Sequence, residues 1–154
     1  MKSTLDRIVD GHLECAAWVD CPENSAARFS NAAKAHARQD CAAFIQACGP
    51  LVDQAINQTG YTAERFGHDF YLTRCGHGAG FWDRSELEVD AGCNVPCIDR
   101  DGRQYRACSV DDSCTLGDAL TALASGTSGN ISRFYTGGVY AYGGWLRFEG
   151  SPQS

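Results

Sequence analysis

The fold prediction depends on residues 68–84, which read HDFYLTRCGHGAGFWDR. Apolar Phe70 and Leu72 alternate with their neighbours, and a period of two is typical of a half-buried strand. Residues 76–80, GHGAG, interrupt this pattern, and Phe81-Trp82 begins a second short apolar run. A glycine-rich break between two such runs is typical of a turn. The stretch therefore predicts a β-hairpin with a glycine-rich tip.

The residues before this stretch have helical periodicity. Apolar residues on one face predict a first helix that starts at Ser3 or Thr4 and ends before Pro22. A second helix is predicted from about Ala26 to Cys48, and helical patterning continues from Leu51 to Gly60. The N-terminal part of the chain is therefore predicted to be helical.

The residues after the hairpin combine a further helix with strands. Leu116 to Leu123 is amphipathic, and Thr115 is well placed to cap its start. Three strand-like segments separated by glycine pairs follow, at residues 131–135, 139–142 and 145–148. We therefore predict an α+β fold in a single domain of residues 1–154, with N-terminal helices packed on a small antiparallel sheet of hairpins and one further helix.

Size and charge restrict the class of protein. The chain has 154 residues, the size of one ordinary domain. It carries 19 acidic and 13 basic residues, a net charge of −6, and its pI is near 5.0. This balance argues against a protein that coats nucleic acid or an anionic membrane. Charges interrupt the N-terminal apolar residues and no apolar run reaches the ~18 residues of a membrane span, so we expect a cytoplasmic protein with reduced thiols.

Residues 68–84 also concentrate ionisable side chains. A hairpin would bring His68 or Asp69 near Asp83 and Arg84 across its two strands. The candidate catalytic set, if the protein is an enzyme, is His68, Asp69, Arg74, His77 and Asp83. In that set His77 would be the acid or base and Arg74 would hold an anion, with Cys75 as nucleophile. The alternative is a tight turn whose polar residues satisfy one another, and the lack of a known hydrolase signature favours a protein that is not an enzyme.

The 9 cysteines fall into groups with different interpretations. Cys41 and Cys48 lie on the apolar stripe of the second helix and are predicted to be core residues. Four more lie in residues 85–114, a Cys- and Asp-rich segment without apolar periodicity: Cys93, Cys97, Cys108 and Cys114. Four thiols with this spacing can hold one structural zinc ion, which would order the segment. Disulfides and free thiols are the alternatives, and no other cofactor is expected.

Residues 68–84 resemble a hallmark of small acidic proteins from bacteriophages and prophages. The resemblance extends to helical segments like residues 14–18 and 40–45, to residues 116–121 and to a tyrosine-containing ending. Two features depart from that family. Cys75 stands where relatives usually have asparagine, which weakens the case for Cys75 as a nucleophile. Residues 85–114 look like an insertion relative to that family. The resemblance implies a viral origin and supplies no mechanism.

Together these features predict a phage or prophage accessory protein that binds a host protein in the host cytoplasm, for example an anti-CRISPR or other anti-defence inhibitor. The inhibitor would act either by nucleic-acid mimicry, with acidic side chains where phosphates bind, or by ordinary blocking of the partner's surface. The expected partner is a host protein such as a nucleic-acid-binding defence complex, with no direct contact to nucleic acid or membrane. The expected contact residues are Asp99, Asp101, Asp111, Asp112, Tyr140 and Tyr142.

Two alternative functions remain open at this point. The first is a small enzyme or ligand-binding domain that uses the hairpin of residues 68–84. The second gives this motif a purely structural role, in which Trp82→Ala would leave a cavity and cost about 3 kcal/mol or more.

Overall fold

A computed structural model of the protein describes residues 2–20, 31–75, 79–92, 95–98, 103–106 and 114–125. The helices found there are α1 (Thr4–Asp20), α2 (Asn31–Cys48), α3 (Leu51–Ile56), α4 (Ala63–Arg74) and α5 (Leu116–Ser125). Two 3₁₀ turns and one antiparallel strand pair complete this part of the chain: Phe81–Asp83, Ser85–Leu87, β1 (Pro96–Ile98) and β2 (Gln104–Arg106). The predicted α+β class is confirmed.

Within the described residues, helices form where the apolar faces outside the motif predict them, although α3 ends at Ile56 and not at Gly60. The predicted start of the second helix, at about Ala26, lies outside the described residues. α2 buries Cys41 and Cys48, which confirms both as core residues. At the start of α5, the Thr115 hydroxyl accepts a hydrogen bond of 3.1 Å from the backbone N–H of Asp118. This bond satisfies an amide that the first turn of a helix would leave without a partner, and it confirms the predicted cap.

The predicted hairpin over residues 68–84 is wrong. Its first half belongs to α4, which begins after Thr62, whose side chain accepts a hydrogen bond from the Arg65 N–H. The buried face of α4 has helical spacing and includes Ala63, Phe66, Gly67, Phe70, Tyr71 and Arg74. Gly67 and Arg74 occupy two positions of this buried face and interrupt its apolar helical pattern. The alternation of apolar residues around Phe70 is therefore the stronger signal in the sequence, and it indicates a strand. The predicted second strand is a 3₁₀ turn.

Aromatic rings from α2, α4 and the first 3₁₀ turn fill the core. Phe44 stacks on Phe70 with ring centroids 4.0 Å apart, and Phe66 meets the edge of Phe81 at 5.1 Å. All four rings are at most 1% exposed, whereas Trp82 is 48% exposed. Of the neighbours Phe81 and Trp82, it is therefore Phe81 that enters the core, and the expectation that Trp82 fills the core is wrong.

Helices α1 and α4 cross with their backbones in direct contact. A Cβ atom added to Gly67 would lie 2.0 Å from the carbonyl oxygen of Ile8, and one added to Gly11 would lie 2.0 Å from that of Glu64. Neither position has room for any side chain, because the opposing atoms belong to a helix backbone. The crossing therefore fixes the height and rotation of α4 against α1, and with it the position of every side chain on α4.

Hydrogen bonds tie the segment after the 3₁₀ turns to the start of α5. The Ala91 N–H donates to the carbonyl of Cys114 at 2.8 Å, and the Leu116 N–H donates to that of Val89 at 2.7 Å. β1 and β2 pair antiparallel, and Cys97 in the middle of β1 lies opposite Tyr105 of β2. The described part of residues 85–114 thus packs against α5 and contributes to the core.

His12 lies on α1 within this buried helix crossing. Its ring is fully buried, 5.0 Å from the ring of Phe70 and 5.3 Å from that of Tyr71 between centroids. Burial holds the pKa of His12 well below its usual range, and the positive charge of Arg74 lowers it further. The folded protein therefore keeps His12 neutral at pH values where an exposed histidine is protonated.

We expect His12 to make the fold sensitive to acid. The unfolded chain takes up a proton at His12 near its ordinary pKa of about 6.5, and the folded chain does not. Its contribution to stability is therefore complete above that pH and falls by about 1.4 kcal/mol for each unit below it. Urea unfolding between about pH 7 and 5 measures this slope. His12→Gln should have a shallower slope, and an equal slope in both proteins would contradict the assignment.

Candidate functional site

A cleft of about 230 Å³ lies beside the crossing of α1 and α4, and ionisable side chains line it. α1 contributes Glu14, and Arg84 follows the first 3₁₀ turn. The remaining lining residues all belong to α4: Glu64, Arg65, His68 and Asp69. The cleft thus contains two of the predicted site residues, His68 and Asp69.

Asp69 is the buried centre of this site. Its carboxylate, on a side chain 1% exposed, accepts hydrogen bonds from Arg84 Nη2 at 2.7 Å and Arg84 Nε at 2.9 Å, both to Oδ1. The Tyr61 hydroxyl donates to Oδ2 at 2.5 Å. Burial and the neighbouring carboxylate raise the pKa of Tyr61, and the hydrogen bond to Asp69 raises the pKa of Arg84. Tyr61 and Arg84 therefore stay protonated and act as permanent donors to Asp69.

A second ion pair connects α4 to the second 3₁₀ turn. Arg65 Nη1 donates to Glu86 Oε2 at 2.7 Å and to the carbonyl oxygen of Gly60 at 2.7 Å. The Arg65 guanidinium carbon also lies 5.0 Å from the centroid of the Tyr61 ring. The hydrogen bond from Arg65 lowers the pKa of Glu86, so this carboxyl stays ionised. Residues 84–87 are thus held against α4 by two arginine–carboxylate pairs.

On the opposite wall of the cleft, side chains of α1 contact side chains of α4. Arg7 donates to both carboxylate oxygens of Glu64, at 3.0 and 2.8 Å, and lowers its pKa. His68 Nε2 lies 3.0 Å from Glu14 Oε1. Since Glu14 is 73% exposed at its side chain, this second contact is open to solvent.

Every ionisable side chain that lines the cleft therefore has a partner among the described residues. The pairs are Glu14–His68, Glu64–Arg7, Arg65–Glu86 and Asp69–Arg84. A nucleophile or general base needs a lone pair that is free to reach a substrate, and these contacts occupy the most buried candidates. The arrangement is suited to fixing the 3₁₀ turns on α4, and the solvent-open His68–Glu14 pair is the part that can exchange with a ligand.

The remaining members of the predicted catalytic set do not converge on this cleft. Arg74 is 1% exposed and lies elsewhere in the core, 3.3 Å from Asp40 and with its guanidinium carbon 4.8 Å from the centroid of the Phe70 ring. Asp83 is exposed and does not line the cleft. His77 lies outside the described residues. Arg74 is therefore placed to bridge α4 and α2, and it does not face the cleft as an anion clamp would.

The sequence did predict one contact of the site. It placed Asp69 near Arg84, and the two residues form the central ion pair. The expected reason was a pair of strands, whereas the cause is a helix followed by a chain reversal. Tyr61 was missed, because its contact with Asp69 across eight residues appears only once residues 63–74 are helical.

The predicted cysteine site is only partly described. Cys97 and Cys114 are both buried, and the Cys114 thiol lies 3.8 Å from the carbonyl oxygen of Pro96, the residue before Cys97. Cys93 and Cys108 lie outside the described residues, as do the predicted contact residues Asp99, Asp101, Asp111, Asp112, Tyr140 and Tyr142 and the three C-terminal strands. The described residues contain no group of three or more histidine, cysteine or acidic side chains that could hold a metal ion.

Large exposed aromatic residues are a feature that the sequence interpretation missed. Trp18 is 67% exposed and Trp82 is 48% exposed. Trp18 follows Glu14 by one helical turn on the same face of α1, and Trp82 precedes Arg84 by two residues in the first 3₁₀ turn. The available signal was the position of Trp18 on the polar face of α1. Both tryptophans thus belong to segments that border the cleft.

Comparison of the chain with protein-family models, with curated proteins and with solved structures returns no match. Among the described helices, none combines the length and the apolar character needed to cross a membrane.

Proposed function

We propose that this chain is a phage or prophage accessory protein that binds a host protein, as an anti-CRISPR or another anti-defence inhibitor. The observation that carries the proposal is the exposure of Trp18 and Trp82 on two segments that also contribute side chains to a cleft whose charges are already paired. Tryptophan is strongly enriched among the residues that dominate protein–protein binding energy. Its exposure on two separate elements favours a contact surface.

The state of the cleft supports a binding role over a catalytic one. The buried carboxylate of Asp69 takes three hydrogen bonds from Arg84 and one from Tyr61. These contacts hold the segment that carries Trp82 rigidly on α4. A surface whose anchors are held in place before binding loses less conformational entropy on association.

The charge of the chain supports a basic partner. A net charge of −6 favours association with a protein whose surface is positive, as a nucleic-acid-binding defence complex must be. The resemblance of residues 68–84 to phage and prophage proteins supports a viral origin. We propose that the inhibitor covers the partner's surface through its tryptophans while its acidic groups steer the encounter.

A binding experiment with matched variants tests this proposal. The tagged full chain is used to capture its partner from lysate of a bacterial host, and the partner is then purified and titrated against Trp18→Ser, Trp82→Ser and the control Gln46→Ala. Gln46 is exposed on α2, away from both tryptophans in the sequence. We expect each tryptophan variant to weaken binding about 30-fold, the effect of a binding hot spot, and the control to bind as the parent does.

The free energy of unfolding of the variant shows whether weaker binding comes from a destabilised fold. Because Trp82 is half-exposed, we expect Trp82→Ser to change the free energy of unfolding by less than about 1 kcal/mol. Capture of no defence or nucleic-acid enzyme, or equal affinity of all variants for the purified partner, would contradict the proposal.

A small-molecule site is the second candidate, and the cleft itself is the observation that favours it. Its polar lining and open His68–Glu14 pair suit a small polar ligand. Nuclear magnetic resonance of the His68 ring during titration with small amino acids and nucleotides tests this function. An unmoved His68 signal across the panel would exclude those ligands, and His68→Gln is the matched variant.

A further inference from the structure

An exposed carboxylate and an exposed indole lie one helical turn apart on α1. The Glu14 side chain is 73% exposed, and Trp18 is 67% exposed. Residues four positions apart in a helix share a face and have Cβ atoms about 5–6 Å apart, so one group of a ligand can reach both side chains. Glu14 lines the cleft, and Trp18 follows it along α1. The two residues therefore present a negative charge and an aromatic face to the same approaching group.

The charge and the size of the cleft favour a small cation. Its lining has two guanidinium groups and three carboxylates, which belong to Glu14, Glu64 and Asp69. The lining is therefore net negative whenever His68 is neutral. The volume of about 230 Å³ is below the ~300–1,000 Å³ typical of sites that enclose a whole small molecule. A single basic side chain of a protein partner has a suitable size and charge.

One arginine of this chain already binds a carboxylate and an aromatic ring at the same time. Arg65 Nη1 donates to Glu86 Oε2 at 2.7 Å, and its guanidinium carbon lies 5.0 Å from the centroid of the Tyr61 ring. A planar guanidinium can do both, because its N–H groups point outward in the plane while its face lies against the ring. Glu14 and Trp18 supply the same two groups on an exposed helix face.

We propose that Glu14 and Trp18 form a docking site for an arginine side chain of the partner protein. The guanidinium stacks on the indole of Trp18 and donates hydrogen bonds to the Glu14 carboxylate. The contact of His68 with Glu14 uses Oε1 and is open to solvent, so an incoming arginine can replace it. This inference rests on the proposed binding of a host protein, and it names the chemistry of one point of contact.

Titration of the full chain with blocked amino acids tests the site without the partner. The probes are Nα-acetyl-arginine methylamide, the corresponding lysine compound and the corresponding citrulline compound, in which an uncharged urea group replaces the guanidinium. Nuclear magnetic resonance follows the His68 ring and the indole N–H of Trp18, which Trp18→Phe assigns among the three tryptophans of the chain. We expect the arginine probe to shift both signals in a saturable way, the lysine probe to bind more weakly and the citrulline probe to leave both unchanged.

Two variants with the same change in net charge test the site with the purified partner. Glu14→Gln removes the carboxylate charge and keeps the shape of the side chain. Asp53→Asn is the control, because Asp53 is exposed on α3 and its substitution removes one negative charge as well. We expect Glu14→Gln to weaken partner binding about tenfold and Asp53→Asn to weaken it less than about twofold. Since Glu14 is 73% exposed at its side chain, Glu14→Gln should unfold at the same urea concentration as the parent.

Failure of this site and failure of the proposed function give different results. Weaker partner binding in Trp82→Ser together with parental binding in Glu14→Gln would overturn the arginine site and leave the binding function standing. Equal losses in Glu14→Gln and Asp53→Asn would also overturn the site, because net charge alone would then explain them. An arginine probe that shifts neither signal, or lysine or citrulline probes that bind as tightly as the arginine probe, would overturn it as well. Parental binding of the partner by both tryptophan variants would contradict the proposed function.

Discussion

Gly67→Ala will lower the free energy of unfolding by about 3 kcal/mol, because overpacking against a helix backbone has no inexpensive relief. The added methyl group would lie 2.0 Å from the carbonyl oxygen of Ile8 and 2.7 Å from the backbone nitrogen of His12. Relief requires α1 and α4 to separate along the crossing. The better helix propensity of alanine offsets only about 1 kcal/mol of this cost. Urea unfolding followed by circular dichroism measures the effect.

Two further glycine variants show whether close approach is the cause. Gly11→Ala makes the reciprocal clash with the carbonyl oxygen of Glu64, so we expect a similar loss. Gly49→Ala is the control, since its φ of +57° is unfavourable for alanine but no atom lies within 4 Å of the added Cβ. We expect this backbone strain to cost about 1 kcal/mol. Equal losses at positions 67 and 49 would show that the α1–α4 contact is looser than the structure has it.

The same crossing explains why the sequence predicted the helical parts well and residues 68–84 badly. α2 and α5 bury apolar residues at helical spacing, so their periodicity is visible without any knowledge of their neighbours. α4 buries Gly67 because another backbone touches it, and Arg74 because Asp40 and the Phe70 ring receive its charge. Those reasons belong to tertiary structure. A glycine and an arginine therefore count as breaks in a sequence pattern although both lie on a buried helix face.

The candidate site shows the same limit. Asp69 and Arg84 could be paired from the sequence because opposite charges flank a chain reversal of whatever kind. Tyr61 and Glu14 could not be placed there, since their positions depend on the helix register of α4 and on its contact with α1. Exposure of Trp18 was visible in principle on the polar face of α1. Exposure of Trp82 was not, because Phe81 and Trp82 are neighbours and only the structure selects which ring enters the core.

Asp69→Ala will lower the free energy of unfolding by about 3 kcal/mol, at the lower end of the range for a broken buried ion pair. The substitution leaves Tyr61 without its acceptor and Arg84 without its carboxylate in a largely buried site. The Arg84 side chain is 27% exposed, so water replaces part of the lost interaction and keeps the cost below that of a fully buried charge. Urea unfolding measures the loss, and Asp83→Ala, which removes an exposed carboxylate in the same segment, should change stability by less than about 0.5 kcal/mol.

A double-mutant cycle with Arg84→Ala separates the ion pair from other effects of losing Asp69. We expect a coupling energy above about 1 kcal/mol, because each side chain is the principal partner of the other. Additive losses would mean that Asp69 acts chiefly through Tyr61 and that the 3₁₀ turn carrying Trp82 does not depend on the Asp69–Arg84 pair. Under the proposed binding role, Arg84→Ala should also weaken partner binding with little change in the affinity of the Asp83→Ala control, since the ion pair fixes the segment that presents Trp82. Arg84→Ala that binds as tightly as the parent would show that Trp82 does not need this support.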